Sequence, residues 1–445
     1  VTVKKVLVVS HDTVGAKMAG PGMRYHQIAM ELSKHFEVTL AAFKRDYVAD
    51  QRPGLPYETK FIEPRHFQRQ FDEVDAIVAL KLEPAMVDYA KRNGKLLVFD
   101  VYTPVPVEDL ISRAYSEEKI IKTDDLFFAD TLKLYRLLLH SGDFFLCSNE
   151  RQRDFWISFA FGAGLITPST YREDPIDAHF AITGMGTDLS EKVDASAHKL
   201  RKKIKAKPDD VLLVWTGGIW NWFDARLAVE AMDQLRDKPQ IKLVFLATKH
   251  PNDDIQAMSE GGLARAKAEE LGLLDKSVFF IDGWLPYDER LEYFADADAA
   301  VFFHKSPLEA EFSHRTRVLD HILVGLPTVC SRGDYLSEVI EQRGLGLTIE
   351  PGDLPAAVKA FAEIAEKKRR EAIRKNILAV RSDFSWEISL RPLTAFLLDP
   401  KPRLAGSKLS LSGSFIERYY HLGRILPKPF RRGVKGAINR APRRR

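Results

Sequence analysis

Short apolar runs of strand length recur along this chain in two series, each interleaved with amphipathic helices. That alternation narrows the fold more than any single motif. In the first series Lys5–Ser10, Glu37–Phe43, Asp75–Leu80, Lys95–Val101 and Asp143–Ser148 read as strands. Between the first two, Tyr25, Ile28, Ala29 and Leu32 keep the i, i+3, i+4, i+7 spacing of one helix face. A polar, lysine-rich stretch over residues 191–210 follows. The pattern then restarts with Val211–Trp215, Lys242–Ala247, Ser277–Ile281, Ala299–Phe303 and Pro327–Ser331. The restart repeats the architecture, not the sequence. Such alternation builds parallel sheets covered by helices on both faces, so the chain reads as α/β, two doubly wound domains facing a cleft. We place the first domain at 1–190, a linker at 191–210, the second domain at 211–382, a closing helix at 383–400 with the option of returning to the first domain, and a tail at 401–445.

Charge separates that tail from the body. Residues 401–445 carry 13 Lys or Arg against one acid, Glu417, whereas the whole chain is only +4, so the preceding 400 residues are net acidic. The tail interleaves Phe, Tyr, Ile and Leu with its cations over residues 404–445, a composition suited to an anionic membrane surface. The acidic body and the lack of a nucleic-acid module speak against nucleic acid as the partner. No apolar run approaches the roughly 18 residues of a membrane span, and Val6–Val9 is too short for the core of a signal peptide. Cys147 and Cys330, each beside a strand end, read as buried thiols in a reducing cytoplasm. These features suggest a cytoplasmic protein that docks peripherally on the inner face of the membrane.

Ligands of doubly wound sheets bind outside the carboxyl ends of the strands, so the loops there are the candidates for chemistry. After the first strand comes HDTVGAKMAGPGMRY, where Gly20 and Gly22 loosen a loop that carries Arg24. The first strand of the second domain is followed by Gly217, Gly218, Trp220 and Trp222, a backbone open to a phosphate with rings able to stack or simply to pack. Lys249 and His250 follow a later strand, and Asp100 stands in VFDVYTP. The densest stretch is EAEFSHRTRVLDHILVGLPTVC, which crowds Glu309, Glu311, Ser313, His314, Arg315, Arg317 and Asp320 at the start of a helix with a buried face. Arginines at a helix start suit a diphosphate, and carboxylates beside them suit hydroxyl groups. A nucleotide sugar brings both. A surface ion-pair network is the plainer account of the same charges.

At AGPGMRY, SNERQRDFW, TGGIWNWFD, DGWLPYDER and EAEFSHRTRVLDHILVGLP the chain resembles glycosyltransferase family 4, retaining enzymes of the GT-B fold, in a bacterial cell-surface polysaccharide branch. The resemblance covers most of residues 4–398. It implies two Rossmann-like domains, a nucleotide sugar on the second and a glycan or lipid-linked acceptor on the first. It puts Asp320 at the ribose, where Glu is usual, and Glu309, or Glu311 in its place, beside the donor hexose. The two acids stand eleven residues apart in this chain rather than eight. With no basic residue where the family commonly has one, near Trp220 and Asn221, the phosphate role moves to Arg315, Arg317 and Lys249.

The implied chemistry is transfer without a metal or other cofactor, the leaving diphosphate being stabilised by cations and loop N–H groups. Glu309, Arg315 and Asp100 are the expected catalytic residues. Gly217, Gly218, Trp220, Lys249, Glu311, Ser313, His314, Arg317 and Asp320 are expected on the donor, and Gly20, Gly22 and Arg24 on the acceptor-side loop. Replacing Glu309 or Arg315 by Ala is expected to cut transfer while sparing the fold. The alternative is a non-catalytic GT-B-like partner subunit that binds a nucleotide sugar.

Overall fold

The computed structural model describes residues 2–16, 18–48, 54–114, 120, 122–246, 259–305 and 307–403. Two parallel sheets organise them. The first contains β1 (Lys5–Ser10), β2 (Glu37–Ala42), β3 (Glu58–Phe61), β4 (Ala76–Ala79), β5 (Leu96–Asp100), β6 (Phe144–Cys147) and β7 (Phe180–Ile182), in the order β3-β2-β1-β4-β5-β6-β7. The second contains β8 (Val211–Trp215), β9 (Ile241–Phe245), β10 (Val278–Phe280), β11 (Ala299–Phe302), β12 (Thr328–Ser331) and β13 (Gly346–Ile349), in the order β10-β9-β8-β11-β12-β13.

Alternation within strands explains why both faces are covered. In β1, Val6 and Val8 enter one apolar cluster while Leu7 and Val9 enter another on the opposite face. In β8, Leu213 and Trp215 split from Leu212 and Val214 in the same way. Strand order reverses between β1 and β4 in one sheet and between β8 and β11 in the other. These switch points open at the carboxyl ends of the strands, and there the two domains face each other across a cleft.

Three strands lie outside the sequence expectations: β3, β7 and β13, each an outer strand. An edge strand buries little, so no apolar run marks it. None of the four residues of β3 is buried, and β13 buries only Ile349.

The stretch at 191–210 is docked rather than free. Its helix Lys199–Ile204 buries Leu200 completely, and the Arg201 N–H donates to Asp296 at 2.7 Å. The Arg201 guanidinium donates to Asp298 at 2.7 Å, which ties the segment to the second domain. The last described helix, Trp386–Leu398, leaves that domain and packs on helix Gly20–Leu32 and on β7 of the first. Phe396 stacks on Phe144 with ring centroids 4.2 Å apart. Gly186 is required at this crossing, since a Cβ there would sit 2.7 Å from the Trp386 backbone. Arg403 then donates to the carbonyls of Leu139 and His140 at 2.7 and 2.6 Å.

Candidate active site

The interdomain cleft encloses about 610 Å³, and the segment after β11 builds much of its second-domain wall. Helix Pro307–Phe312 leads through a turn into helix Arg317–Val324. Val318, Leu319, Ile322 and Leu323 are buried, and Gly325 ends the helix in the left-handed region at φ 72°. The anchored helix holds its first residue, Arg317, at the cleft wall.

The crowded charges of this segment have separate fates. Glu309 and Arg315 form a buried two-pronged pair, Nη1 to Oε1 at 2.8 Å and Nη2 to Oε2 at 2.5 Å. Asp320 is held by Arg290 through both oxygens, at 3.1 and 3.2 Å, and Arg290 also reaches Glu191. Glu311 lies on the rim 3.5 Å from Arg151 of the first domain, outside the cleft lining.

Arg317 differs from all of these. Its Nη2 donates to the Gly218 carbonyl at 2.8 Å, while its Nη1 is buried without a hydrogen-bond partner among the described residues. The rings of Phe223 and Phe302 lie 4.4 and 5.7 Å from its guanidinium carbon, and it forms no ion pair among the described residues. Burial, reinforced by Arg315, brings its pKa down to about 9. Gly217, at φ 72°, turns the backbone after β8, and a Cβ there would lie 3.8 Å from this guanidinium. Trp220 lines the cleft and stacks flat on Trp222 at 5.4 Å. His314 also lines it, with neither ring nitrogen hydrogen-bonded among the described residues, and burial, then Arg24, lowers its pKa to about 3. The Ser313 hydroxyl is turned back onto the Ala310 carbonyl at 3.0 Å.

Across the cleft stand Gly20, Tyr102, Thr103 and Glu108 of the first domain. A Cβ on Gly20 would lie 3.3 Å from Thr316 Oγ1, so the two walls nearly touch there. Gly22 has a packing reason instead, as a Cβ would meet the Thr13 carbonyl oxygen at 2.0 Å. Hydrogen bonds bridge the domains on both sides, from Gln152 to the Phe312 carbonyl at 2.8 Å and from the Tyr287 N–H to the Ala16 carbonyl at 2.9 Å.

Asp100 and Arg24 require correction. Both are fully buried, paired through 2.7 and 2.6 Å hydrogen bonds, and absent from the cleft lining. Arg24 also donates to Thr183 Oγ1 at 3.1 Å, so the pair ties β5 to the segment after β7 instead of meeting an acceptor. Glu309 and Arg315 are likewise each other's partners rather than free groups. Lys249 lies outside the described residues. Glu108 and Arg290 escaped the sequence reading: one sits on a helix rather than in a strand-end loop, and the other is distant in sequence from the acid it holds.

A family model described as glycosyl transferases group 1 matches residues 210–367, the span from β8 through helix Leu354–Ile364. The second domain is a group 1 glycosyl transferase domain. Solved structures extend the likeness over both domains. A sucrose-phosphate synthase from Thermosynechococcus elongatus is 16% identical, with 88% of this chain and 98% of that chain covered and a TM-score of 0.66. HepE of Anabaena in complex with UDP-glucose is 16% identical over 88% and 99%, with a TM-score of 0.63. WaaG, a glycosyltransferase involved in lipopolysaccharide biosynthesis, is 16% identical over 89% and 100%, at 0.62. No curated protein sequence matches the chain. Together the group 1 domain and the shared fold make this a GT-B glycosyltransferase.

Proposed function

We propose that this glycosyltransferase moves a sugar, with retention of configuration, from a nucleotide sugar to a glycan or lipid-linked acceptor in surface-polysaccharide synthesis. One observation carries the donor site: Arg317, in the cleft wall, makes no ion pair among the described residues and has a buried Nη1 with no hydrogen-bond partner among them. A diphosphate supplies the missing anion, and N–H groups of the Gly217–Gly218 turn are placed to share it. Asp320, held in place by Arg290, receives the ribose hydroxyls. Trp220 and His314 bound the space left for base and sugar. Uridine is the favoured base, because HepE, of the same fold, binds UDP-glucose. The acceptor enters along the Gly20 and Thr103 wall.

A thermal-shift panel of UDP-, GDP-, ADP-, CMP- and dTDP-sugars, with and without magnesium, tests the reading. One nucleotide should stabilise the chain, since a ligand at about a hundred times its Kd adds about 2.7 kcal/mol, and the shift should not depend on the metal. A flat response to every nucleotide sugar would remove the donor site.

The basic tail, residues 404–445, lies outside the described residues. We assign it to an anionic membrane surface on its sequence, a placement suited to a lipid-linked acceptor. The full chain should sediment with phosphatidylglycerol vesicles, and a chain ending at Arg403 should not. Equal sedimentation would return the membrane contact to the folded body. Arg403 is kept because of its bonds to Leu139 and His140.

A further inference from the structure

Arg290 stands between the cleft and the linker that joins the domains. Its Nε and Nη2 donate to the two Asp320 oxygens at 3.2 and 3.1 Å. Nη2 also donates to Glu191 Oε1, and Nη1 to Glu191 Oε2, both at 3.2 Å. Nη1 makes a further bond to the Tyr287 carbonyl at 2.8 Å. A guanidinium has five N–H groups, and these five bonds occupy all of them. Arg290 therefore lines the cleft with no donor left for a ligand. Asp320 is different. Each carboxylate oxygen can accept about two bonds, and Arg290 supplies one to each.

Glu191 belongs to the linker rather than to either sheet. Just before it, Thr187 pairs with the returning chain. The Thr187 N–H donates to the Phe384 carbonyl at 2.6 Å, and the Trp386 N–H donates to the Thr187 carbonyl at 3.3 Å. The two crossings between the domains thus run side by side beside Glu191. Glu191 also accepts from the Tyr287 hydroxyl at 2.9 Å, and the Tyr287 N–H reaches the Ala16 carbonyl of the first domain. The Arg290 guanidinium carbon lies 3.9 Å from the centre of the Tyr287 ring. One cation bridges a carboxylate of the donor domain and a carboxylate of the linker. The side chains of Arg290, Glu191 and Asp320 are only 11, 19 and 19% exposed, so this is not the loosely held pairing of an open surface.

We propose that Glu191 and Arg290 are positioning residues for the ribose of the nucleotide, which makes the interdomain linker part of the donor site. The proposal rests on the nucleotide-sugar reading above, with Asp320 at the ribose. Asp320 must aim its remaining acceptor positions at the 2′- and 3′-hydroxyls, and a carboxylate free to turn would lose that aim. Arg290 holds both of its oxygens and so fixes the plane of the group. Glu191 holds Arg290 in turn, through both of its own oxygens. Neither residue meets the ribose itself, because every Arg290 donor is engaged and Glu191 is outside the cleft lining. A nucleotide without ribose hydroxyls should be indifferent to this arrangement. A merely structural role would serve every nucleotide alike.

The test uses the full chain with UDP and 2′,3′-dideoxy-UDP, or the same pair built on whichever base stabilises it. Calorimetry reads both Kd values for wild type, Glu191→Ala and Glu191→Gln. Wild type should favour UDP by about tenfold or more, the scale of a hydrogen bond to a charged group. Glu191→Ala should bind dideoxy-UDP as wild type does, while its preference for UDP falls to about threefold or less as that bond loosens. Glu191→Gln keeps one acceptor for Arg290 and should lie between. Normal binding of dideoxy-UDP shows that a variant is folded, and if Glu191→Ala binds neither nucleotide, Glu191→Gln decides. A wild type that binds neither would overturn the nucleotide-sugar reading, and this one with it. A wild type that binds both equally would remove Asp320 from the ribose, and with it the task given to Arg290. A UDP preference within about twofold of wild type in the Glu191 variants would overturn the linker assignment alone. So would equal losses of affinity for UDP and dideoxy-UDP, which would make Glu191 a structural partner only.

Discussion

Replacing Arg317 by Met should abolish nucleotide-induced stabilisation and lower turnover by about two to three orders of magnitude, while the free chain becomes more stable. The first effect follows from the loss of charge-assisted hydrogen bonds to the diphosphate, each worth about 1.5–3 kcal/mol, and of a preorganised donor to the leaving group. The second follows from where the guanidinium sits. Its guanidinium has a ring on one side and a buried Nη1 without a partner among the described residues on the other, and no ion pair among those residues repays its desolvation, which outweighs the pull of Glu309. Met keeps most of the apolar stem and removes the charge. Thermal unfolding with and without UDP, together with release rates, separates the two outcomes. Arg317→Lys should fall between, because it keeps a cation but loses the planar fork that also holds the Gly218 carbonyl. A methionine variant that still shows the full UDP shift would move the diphosphate elsewhere.

The parts legible in the sequence share a physical reason. Central strands such as β1 and β8 are buried on both faces, so they appear as apolar runs; β3 and β13 lie at edges and leave none. Helix Arg317–Val324 could be read from its buried face and from Gly325-Leu326-Pro327, while the role given to Asp320 came from the family resemblance. Pairing was not legible. Asp100 looked like a loop carboxylate, yet its partner Arg24 lies 76 residues earlier and takes both oxygens inside the first domain. Glu309 and Arg315 are near in sequence, but which of the surrounding charges each would claim depends on a fold that buries both. Glu108 is the opposite case. It reads as an ordinary acid in a helical first turn, and only the packing of one domain on the other sets it opposite Glu309.

The buried pair carries the remaining large effect, and it reverses the expectation that Glu309→Ala spares the fold. Removing Glu309 leaves Arg315 buried and unpaired beside Arg317, where such a loss typically costs about 3–5 kcal/mol. Glu309→Ala should therefore unfold at a much lower temperature than wild type, and Arg315→Ala should do the same by removing the cation that holds both Glu309 oxygens. The double variant should be less destabilised than the two single losses added, because each single change strands the other's charge. Near-additive losses would show that the two groups are not coupled. Glu309→Gln has a further consequence at a distance. It keeps a hydrogen-bonding side chain near Arg315 but removes the negative charge that helps raise Glu108. The Glu108 carboxyl should then titrate at lower pH, read by carboxyl NMR, the direction required if Glu309 repels the ionised form. A carboxyl that still titrates near pH 7 would mean that burial alone sets it, and that Glu309 acts only by holding Arg315.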